Sequence, residues 1–434
     1  MDKEVIKVRG GNRLCGKVHI SGAKNSVLKL MAASILADGT STITNVPNIS
    51  DVHMMAEVLE HLGAHVSPLQ NGRLSIDASK VEPKETPYDL VNKLRASIAV
   101  LGPLLARFGE ATVSMPGGCL IGSRSINMHL DGLASLGVTN ELVRGNIVAR
   151  TKLGTLNGAN VRLPFASVGA TENLMLAATR AQGITTIENA AREPEIVDLA
   201  NFLIQMGVNI VGAGSPTICV YGAECILPVQ EYKTVGDRIE AGTYLVAGAL
   251  TGGPITVTGV CPQHLLMPLR KLREFGCHCE CSDDGVDNSS ITIRGIDLKE
   301  GSTRLKPTDI QTLPYPGFPT DLQPQFMVLA AIANGSSVIT ENVFENRFMF
   351  ANELNRMGAE ISIEGHHALI KGVRNLSGAP VEASDLRAGA GLLLAGLVAE
   401  GTSIVNKIGH IDRGYEQIVD RLAALGADIE RLTL

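Results

Sequence analysis

Apolar and polar positions along the chain follow one pattern that recurs six times. Its signature segments are HLGAHV (61–66), SLGVTN (135–140), QMGVNI (205–210), EFGCHC (274–279), RMGAEI (356–361) and ALGADI (424–429). Each closes an amphipathic helix, stops it at glycine and opens a strand. Upstream of each lies a Gly-led run rich in β-branched residues: GTSTITNV, GEATVSM, GITTIENA, GPITVTGV, GSSVITENV and GTSIVNKI. Such runs favour a pleated strand. Before each run comes a helix of another kind, such as AKNSVLKLMAASILA, VGATENLMLAATRA or SDLRAGAGLLLAGLVA. These helices are apolar nearly all round and rich in Ala and Gly, so they belong inside, packed closely on one another. A period of about 70 residues predicts six structural units, each with two helices and several strands.

At 434 residues the chain exceeds one ordinary core. Six units divide into two similar α/β domains of three repeats each, with buried helices and outer sheets. The weakly patterned EYKTVGDRIE (231–240) is the expected boundary. The first strand, IKVRGGNRLCGKVHI, precedes the first complete unit and is expected to pair with the last. That groups 1–22 with 236–434 as one domain and leaves 23–235 as the other.

Composition narrows the function classes. The net charge is −6, 45% of residues are hydrophobic, and Trp is absent. No basic stripe suggests a nucleic-acid partner. The charged start MDKEVIKVRGG has no apolar signal core, and runs such as LLLAGLVA are too short to span a bilayer. A cytoplasmic protein without membrane insertion is expected, its eight cysteines reduced. Cys277, Cys279 and Cys281 alternate along a strand. A metal site there lacks the paired C-x2-C spacing of zinc ligands, so a strand with small apolar side chains is the preferred reading, with no metal or cofactor expected.

The chemistry centres on Met115–His129, MPGGCLIGSRSINMH. Pro116, Gly117 and Gly118 break regular structure before Cys119, and Gly122 keeps the next turn open. A thiol beside Arg124 and near a helix start lies in positive potential, which favours thiolate. Cys119 is therefore a candidate nucleophile or general acid, against the plainer role of a small buried side chain. Charge-bearing motifs recur at the starts of the interior helices and in the loops before the amphipathic ones. They supply Lys24, Arg95, Arg124, Arg347, Arg387 and Arg413. Together with helix N-termini, these cations suit a multiply anionic ligand such as phosphate or carboxylate.

The motifs SGAKN, PYDLV-x-K-LRASI, PGGC-x-IG-x-R, SVGAT, ENAAREPEIVD, DRIEAGT, PGFPTD, ENRF, DLRA and HIDRGYE occur in order from end to end. With them the chain resembles the UDP-N-acetylglucosamine 1-carboxyvinyltransferase family over essentially its whole length. The resemblance implies two inside-out α/β barrels with the active site in the cleft between domains. It implies enolpyruvyl transfer from phosphoenolpyruvate to the 3′-hydroxyl of UDP-N-acetylglucosamine, with phosphate released, as the first committed step of peptidoglycan precursor synthesis. It makes Cys119 the acid near C3 of phosphoenolpyruvate, a residue able to add to that substrate and to be alkylated by fosfomycin. Asp321 becomes the residue that positions and deprotonates the sugar hydroxyl, and Lys24 a stabiliser of developing charge. Lys24, Arg124, Arg387, Arg413 and Asp385 would serve phosphoenolpyruvate. Asn25, Arg95, Arg124, Ser125, Ile126, Asn127, Met128, His129, Ser167, Val168, Gly169, Asp321 and Val343 would serve the nucleotide sugar, and Arg347 would line the cleft.

Three positions depart from the family pattern. Phe165 stands where a basic residue is frequent near the diphosphate. Ser125 replaces a frequent Pro after Arg124, and Pro324 enters the start of an interior helix. Phe165 and Pro324 keep open a catalytically weakened paralogue that binds nucleotide sugar or a regulatory partner. The sister transferase acting on shikimate 3-phosphate is disfavoured by Cys119 in PGGC and by GAKN in place of a Ser-rich start.

Overall fold

A computed structural model describes residues 4–86, 94–115, 126–152, 154–282, 289–296 and 304–433. They form two compact units, residues 4–21 with 236–433 and residues 22–115 with 126–235. Each unit has its own apolar core.

Among the described residues six sheets correspond to the six repeats. In five of them the Gly-led strand pairs antiparallel with the second strand of the hairpin that follows it: Thr40–Thr44 with Leu74–Asp77, Glu110–Ser114 with Asn146–Thr151, Ile184–Glu188 with Thr217–Tyr221, Pro254–Thr258 with Ser290–Arg294, and Ser336–Thr340 with His367–Lys371. The sixth, Thr402–Asn406, pairs instead with the N-terminal strand Glu4–Arg9, Val405 opposite Ile6. The other edge of Glu4–Arg9 takes Asp428–Thr433, so the chain's two ends lie in one sheet.

The strands parallel to the Gly-led strands show how the units are linked. Asn160–Arg162, Ile310–Gln311 and Pro380–Glu382 each precede an interior helix and lie beside the strand that follows it. At the two crossings this order is exchanged. Gly16–His19 pairs with Pro254–Thr258, whereas Tyr232–Lys233 pairs with Thr40–Thr44.

Interior helices are buried as their all-round apolarity requires. Every residue from 238 to 250 of the helix Arg238–Thr251 is buried, as is all of Gln323–Ala331. Small residues let these helices approach one another. A Cβ on Gly391 would lie 3.3 Å from the Cβ of Pro324, and one on Gly102 would lie 2.5 Å from the carbonyl oxygen of Asn173. Pro324 falls in the first turn of its helix, where no intrahelical N–H is lost. A 3₁₀ turn, Thr320–Leu322, precedes that helix and carries Asp321.

The glycine of each signature segment adopts the left-handed conformation that ends a helix: Gly63, Gly137, Gly207, Gly276, Gly358 and Gly426 have φ between 89° and 107°. Cys277 and Cys279 face the core while Cys281 is exposed, and burial pushes the Cys277 thiol up to about 12. Among the described residues no helix is long and apolar enough to cross a membrane.

Candidate active site

The unit built from residues 4–21 and 236–433 brings Asp321, Arg347 and Arg387 together. Nη2 of Arg347 lies 3.2 Å from Asp321 Oδ1, and Nη2 of Arg387 lies 3.3 Å from Oδ2. The arginine side chains are 1% and 4% exposed, while that of Asp321 is 25% exposed. One carboxylate thus reaches solvent while two buried guanidiniums hold it. Arg347 stacks over the Phe344 ring at 5.8 Å and Arg387 over the Tyr415 ring at 5.5 Å. Burial alone would lower the pKa of Arg387, but Asp321 and Tyr415 outweigh it and hold the group above its ordinary value. Nε of Arg347 and Nη1 of Arg387 are buried and have no acceptor among the described residues. Such donors suit an anion better than a neutral group.

The turn carrying Asp321 is fastened from behind. With its oxygen facing the hydroxyls of Thr243 and Tyr415 at 3.1 and 3.2 Å, the Gln325 amide donates to the carbonyls of Asp321 and Leu322, both at 3.2 Å. Asp385 caps its own helix, its Oδ1 accepting from the amides of Arg387 at 2.8 Å and Ala388 at 3.1 Å. The cap fixes the helix start from which Arg387 projects. Arg413 directly follows the short helix Gly409–Asp412. Burial lowers the pKa of His410 and nearby Arg413 adds to that, against an opposing effect of Asp385. The Val343 amide donates to Glu341 Oε1 at 2.8 Å.

In the other unit, Lys24 opens its interior helix and its Nζ lies 2.7 Å from Asp51 Oδ2, the side chains 12% and 1% exposed. One turn on, Lys29 pairs with Glu172 at 3.2 Å and donates to the Asn25 carbonyl at 2.9 Å. Burial pushes the Glu172 carboxyl up to about 7, partly offset by Lys29. Ser26 donates to Asp198, which also accepts from the Tyr232 hydroxyl at 2.7 Å, and burial raises the pKa of Asp198.

Ser167 caps the helix Val168–Ala178, its hydroxyl accepting from the Ala170 amide at 3.3 Å. Gly169 leaves room for His129, whose ring would sit 3.2 Å from a Cβ there. His129 is buried, its Nδ1 2.9 Å from Asn173 Nδ2. Asn173 in turn bonds the Ile98 carbonyl and the Gly102 amide. Ile126 is buried before the helix Asn127–Ser135, and Met128 packs on the same core. Phe165 is 41% exposed. The backbone of Arg95 starts a 3₁₀ turn. Cys119, Arg124 and Ser125 lie outside the described residues.

Sequence reasoning missed the buried carboxylates Asp51, Glu172, Asp198 and Glu341. Glu172 had a signal, a lone acid inside the apolar VGATENLMLAA. Asp51 sits at a helix start, Glu341 after a strand end and Asp198 within an amphipathic helix, all places where acids are commonplace.

The family described as EPSP synthase (3-phosphoshikimate 1-carboxyvinyltransferase) matches residues 8–422. A UDP-N-acetylglucosamine 1-carboxyvinyltransferase of Mycolicibacterium paratuberculosis is 51% identical over 430 residues, 99% of each chain. Another, UDP-N-acetylglucosamine 1-carboxyvinyltransferase 1 of Staphylococcus epidermidis, is 50% identical over 434 residues and all of both chains. Among solved structures, the enolpyruvyl transferase NikO from Streptomyces tendae is 28% identical and superposes with a TM-score of 0.87 over the full length of both. EPSP synthase from Acinetobacter baumannii, 19% identical, shares the fold with a TM-score of 0.77 over 99% of this chain and 100% of its own.

Proposed function

The chain belongs to the UDP-N-acetylglucosamine 1-carboxyvinyltransferases of the EPSP synthase family, and from that premise we propose how it works. It is a transferase that moves the enolpyruvyl group of phosphoenolpyruvate to the 3′-hydroxyl of UDP-N-acetylglucosamine and releases phosphate. The geometry that supports this reading best is Asp321, a solvent-reaching carboxylate gripped by two buried arginines, each with an N–H donor that has no acceptor among the described residues.

Asp321 takes the proton from the 3′-hydroxyl, whose oxygen attacks C2 of phosphoenolpyruvate. Cys119 delivers a proton to C3, and a tetrahedral ketal forms. Loss of a proton from C3 and departure of phosphate then restore the double bond. The acid and base steps need groups placed within hydrogen-bond reach, and the developing charge needs preorganised cations. Arg387 and Arg413 supply positive charge for phosphoenolpyruvate, with Asp385 orienting Arg387 through its helix cap. Lys24 and Arg124 are assigned to the same anion. Asn25, Arg95, Ser125–His129, Ser167, Val168, Gly169 and Val343 are assigned to the nucleotide sugar. His129 contributes from a buried position, through the packing of Gly169. The reading carries with it a cytoplasmic place in peptidoglycan precursor synthesis, and so in cell-wall growth and division.

The test is phosphate release from phosphoenolpyruvate with each acceptor in turn. Release that requires UDP-N-acetylglucosamine supports the proposal. Release with shikimate 3-phosphate alone would make this the sister enzyme. Nucleotide-sugar binding without release would favour the weakened paralogue.

A further inference from the structure

Glu341 opens the loop that follows the strand Ser336–Thr340 and is 1% exposed. Its carboxylate takes four hydrogen bonds. Oε1 accepts from the Thr312 hydroxyl at 2.8 Å, the Val343 amide at 2.8 Å and the Phe344 amide at 3.1 Å. Oε2 accepts from the Thr320 hydroxyl at 2.8 Å. Two of these donors are backbone N–H groups that cannot reverse, so the site requires an acceptor.

Three of the four donors, Thr320, Val343 and Phe344, belong to the two segments that carry the Asp321–Arg347 pair. Thr320 immediately precedes Asp321 in the 3₁₀ turn. Phe344 lies beneath the Arg347 guanidinium, and its carbonyl accepts from the Arg347 amide at 3.3 Å. Thr312 ties the segments further, its hydroxyl accepting from the Asn342 amide at 2.9 Å and its carbonyl from Asn342 Nδ2 at 3.0 Å. A buried carboxylate with good donors on both oxygens fixes its partners strongly, because leaving any of them unpaired would be costly.

We infer that Glu341 is a positioning residue: it locks the turn bearing Asp321 to the loop bearing Arg347, and so sets the direction in which the Asp321 carboxylate faces its substrate hydroxyl. The inference rests on the proposed role of Asp321. A one-carbon shortening, Glu341→Asp, cannot span both segments. Thr320→Val cuts only the link to the turn and leaves the Glu341–loop bonds in place.

The experiment measures kcat, KM for each substrate and thermal midpoint for Glu341→Asp, Thr320→Val and Asp321→Asn, and for each of the first two combined with the third. Misplacing a catalytic group by about an ångström costs up to about a hundredfold, so Glu341→Asp should lower kcat by roughly ten- to a hundredfold with smaller changes in KM. The decisive readout is coupling. In the Asp321→Asn background neither Glu341→Asp nor Thr320→Val should lower kcat further, although any loss of thermal midpoint should persist. Additive losses in kcat would overturn the inference, since a merely structural residue acts whatever stands at 321. If Glu341→Asp fails to fold, Thr320→Val with and without Asp321→Asn decides by the same criterion. Wild-type turnover is measured first: its absence would sink the functional reading, whereas turnover with additive losses would sink only the role of Glu341.

Discussion

Asp321 Oδ1 lies 3.2 Å from Nη2 of Arg347, a guanidinium with a side chain only 1% exposed. Arg387 holds the other oxygen of the same carboxylate. Removing the charge at 321 therefore has two separable effects. Asp321→Asn should lower turnover by about 10²–10⁴-fold, the usual contribution of a positioned acid or base. It should also leave two buried cations short of a counter-ion, destabilising the fold by about 3 kcal/mol. Phosphate release and urea unfolding of the same preparation check both. Full activity in a stable variant would remove Asp321 from the chemistry.

The thiol chemistry can be tested covalently. If Cys119 is an activated thiol in an anion site, fosfomycin should alkylate it, and faster with UDP-N-acetylglucosamine present. Intact mass and peptide mapping should place the adduct at Cys119. An adduct on an exposed cysteine such as Cys15 or Cys281, or none, would contradict the assignment. Cys119→Asp should resist the epoxide yet keep turnover through its own proton.

Glu172 makes stability depend on pH. Its carboxyl is raised from 4.5 to about 7, so the folded chain holds a proton that the unfolded chain has released across that window. Stability from this group is complete below about pH 4.5 and declines as pH rises toward 7. Its Oε1 is buried without a partner among the described residues, as suits a protonated carboxyl beside Lys29. Glu172→Gln should flatten the fall in urea midpoint across this range. An unchanged slope would show that the group is ionised throughout.

Helix packing gives a prediction independent of chemistry. A Cβ at residue 102 would sit 2.5 Å from the Asn173 carbonyl oxygen and 2.9 Å from Asn173 Oδ1. Gly102→Ala should destabilise the fold by about 1–3 kcal/mol through overpacking. Because Asn173 also holds the His129 ring, its movement should raise KM for the nucleotide sugar more than KM for phosphoenolpyruvate. Equal changes in both would separate His129 and Gly169 from nucleotide binding.

How far the fold was legible can be seen in single elements. The signature glycines announced six helix ends, and all six adopt the left-handed conformation that only glycine takes without strain. The all-round apolarity of AGAGLLLAGLVA announced a buried helix, and residues 387–397 are buried. The exchange of Gly16–His19 with Tyr232–Lys233 was not legible, because a two-residue strand carries no periodicity and its partner is chosen by tertiary packing. Arg347 and Arg387, which the fold brings to Asp321, were legible as members of a recurring set of cations. The acids Asp51 and Glu341 were not legible: they look like ordinary first-turn and loop acids until the fold brings Lys24 to one and four neutral donors to the other.

The central claim is tested most directly by the product itself. Phosphoenolpyruvate and UDP-N-acetylglucosamine are incubated with the enzyme, released phosphate is counted, and the nucleotide is identified by mass and by NMR of the sugar ring. One phosphate for each nucleotide bearing an enolpyruvyl ether on the 3′-oxygen is the result predicted here. Phosphate formed without that ether, or an unchanged nucleotide sugar after prolonged incubation, would contradict it.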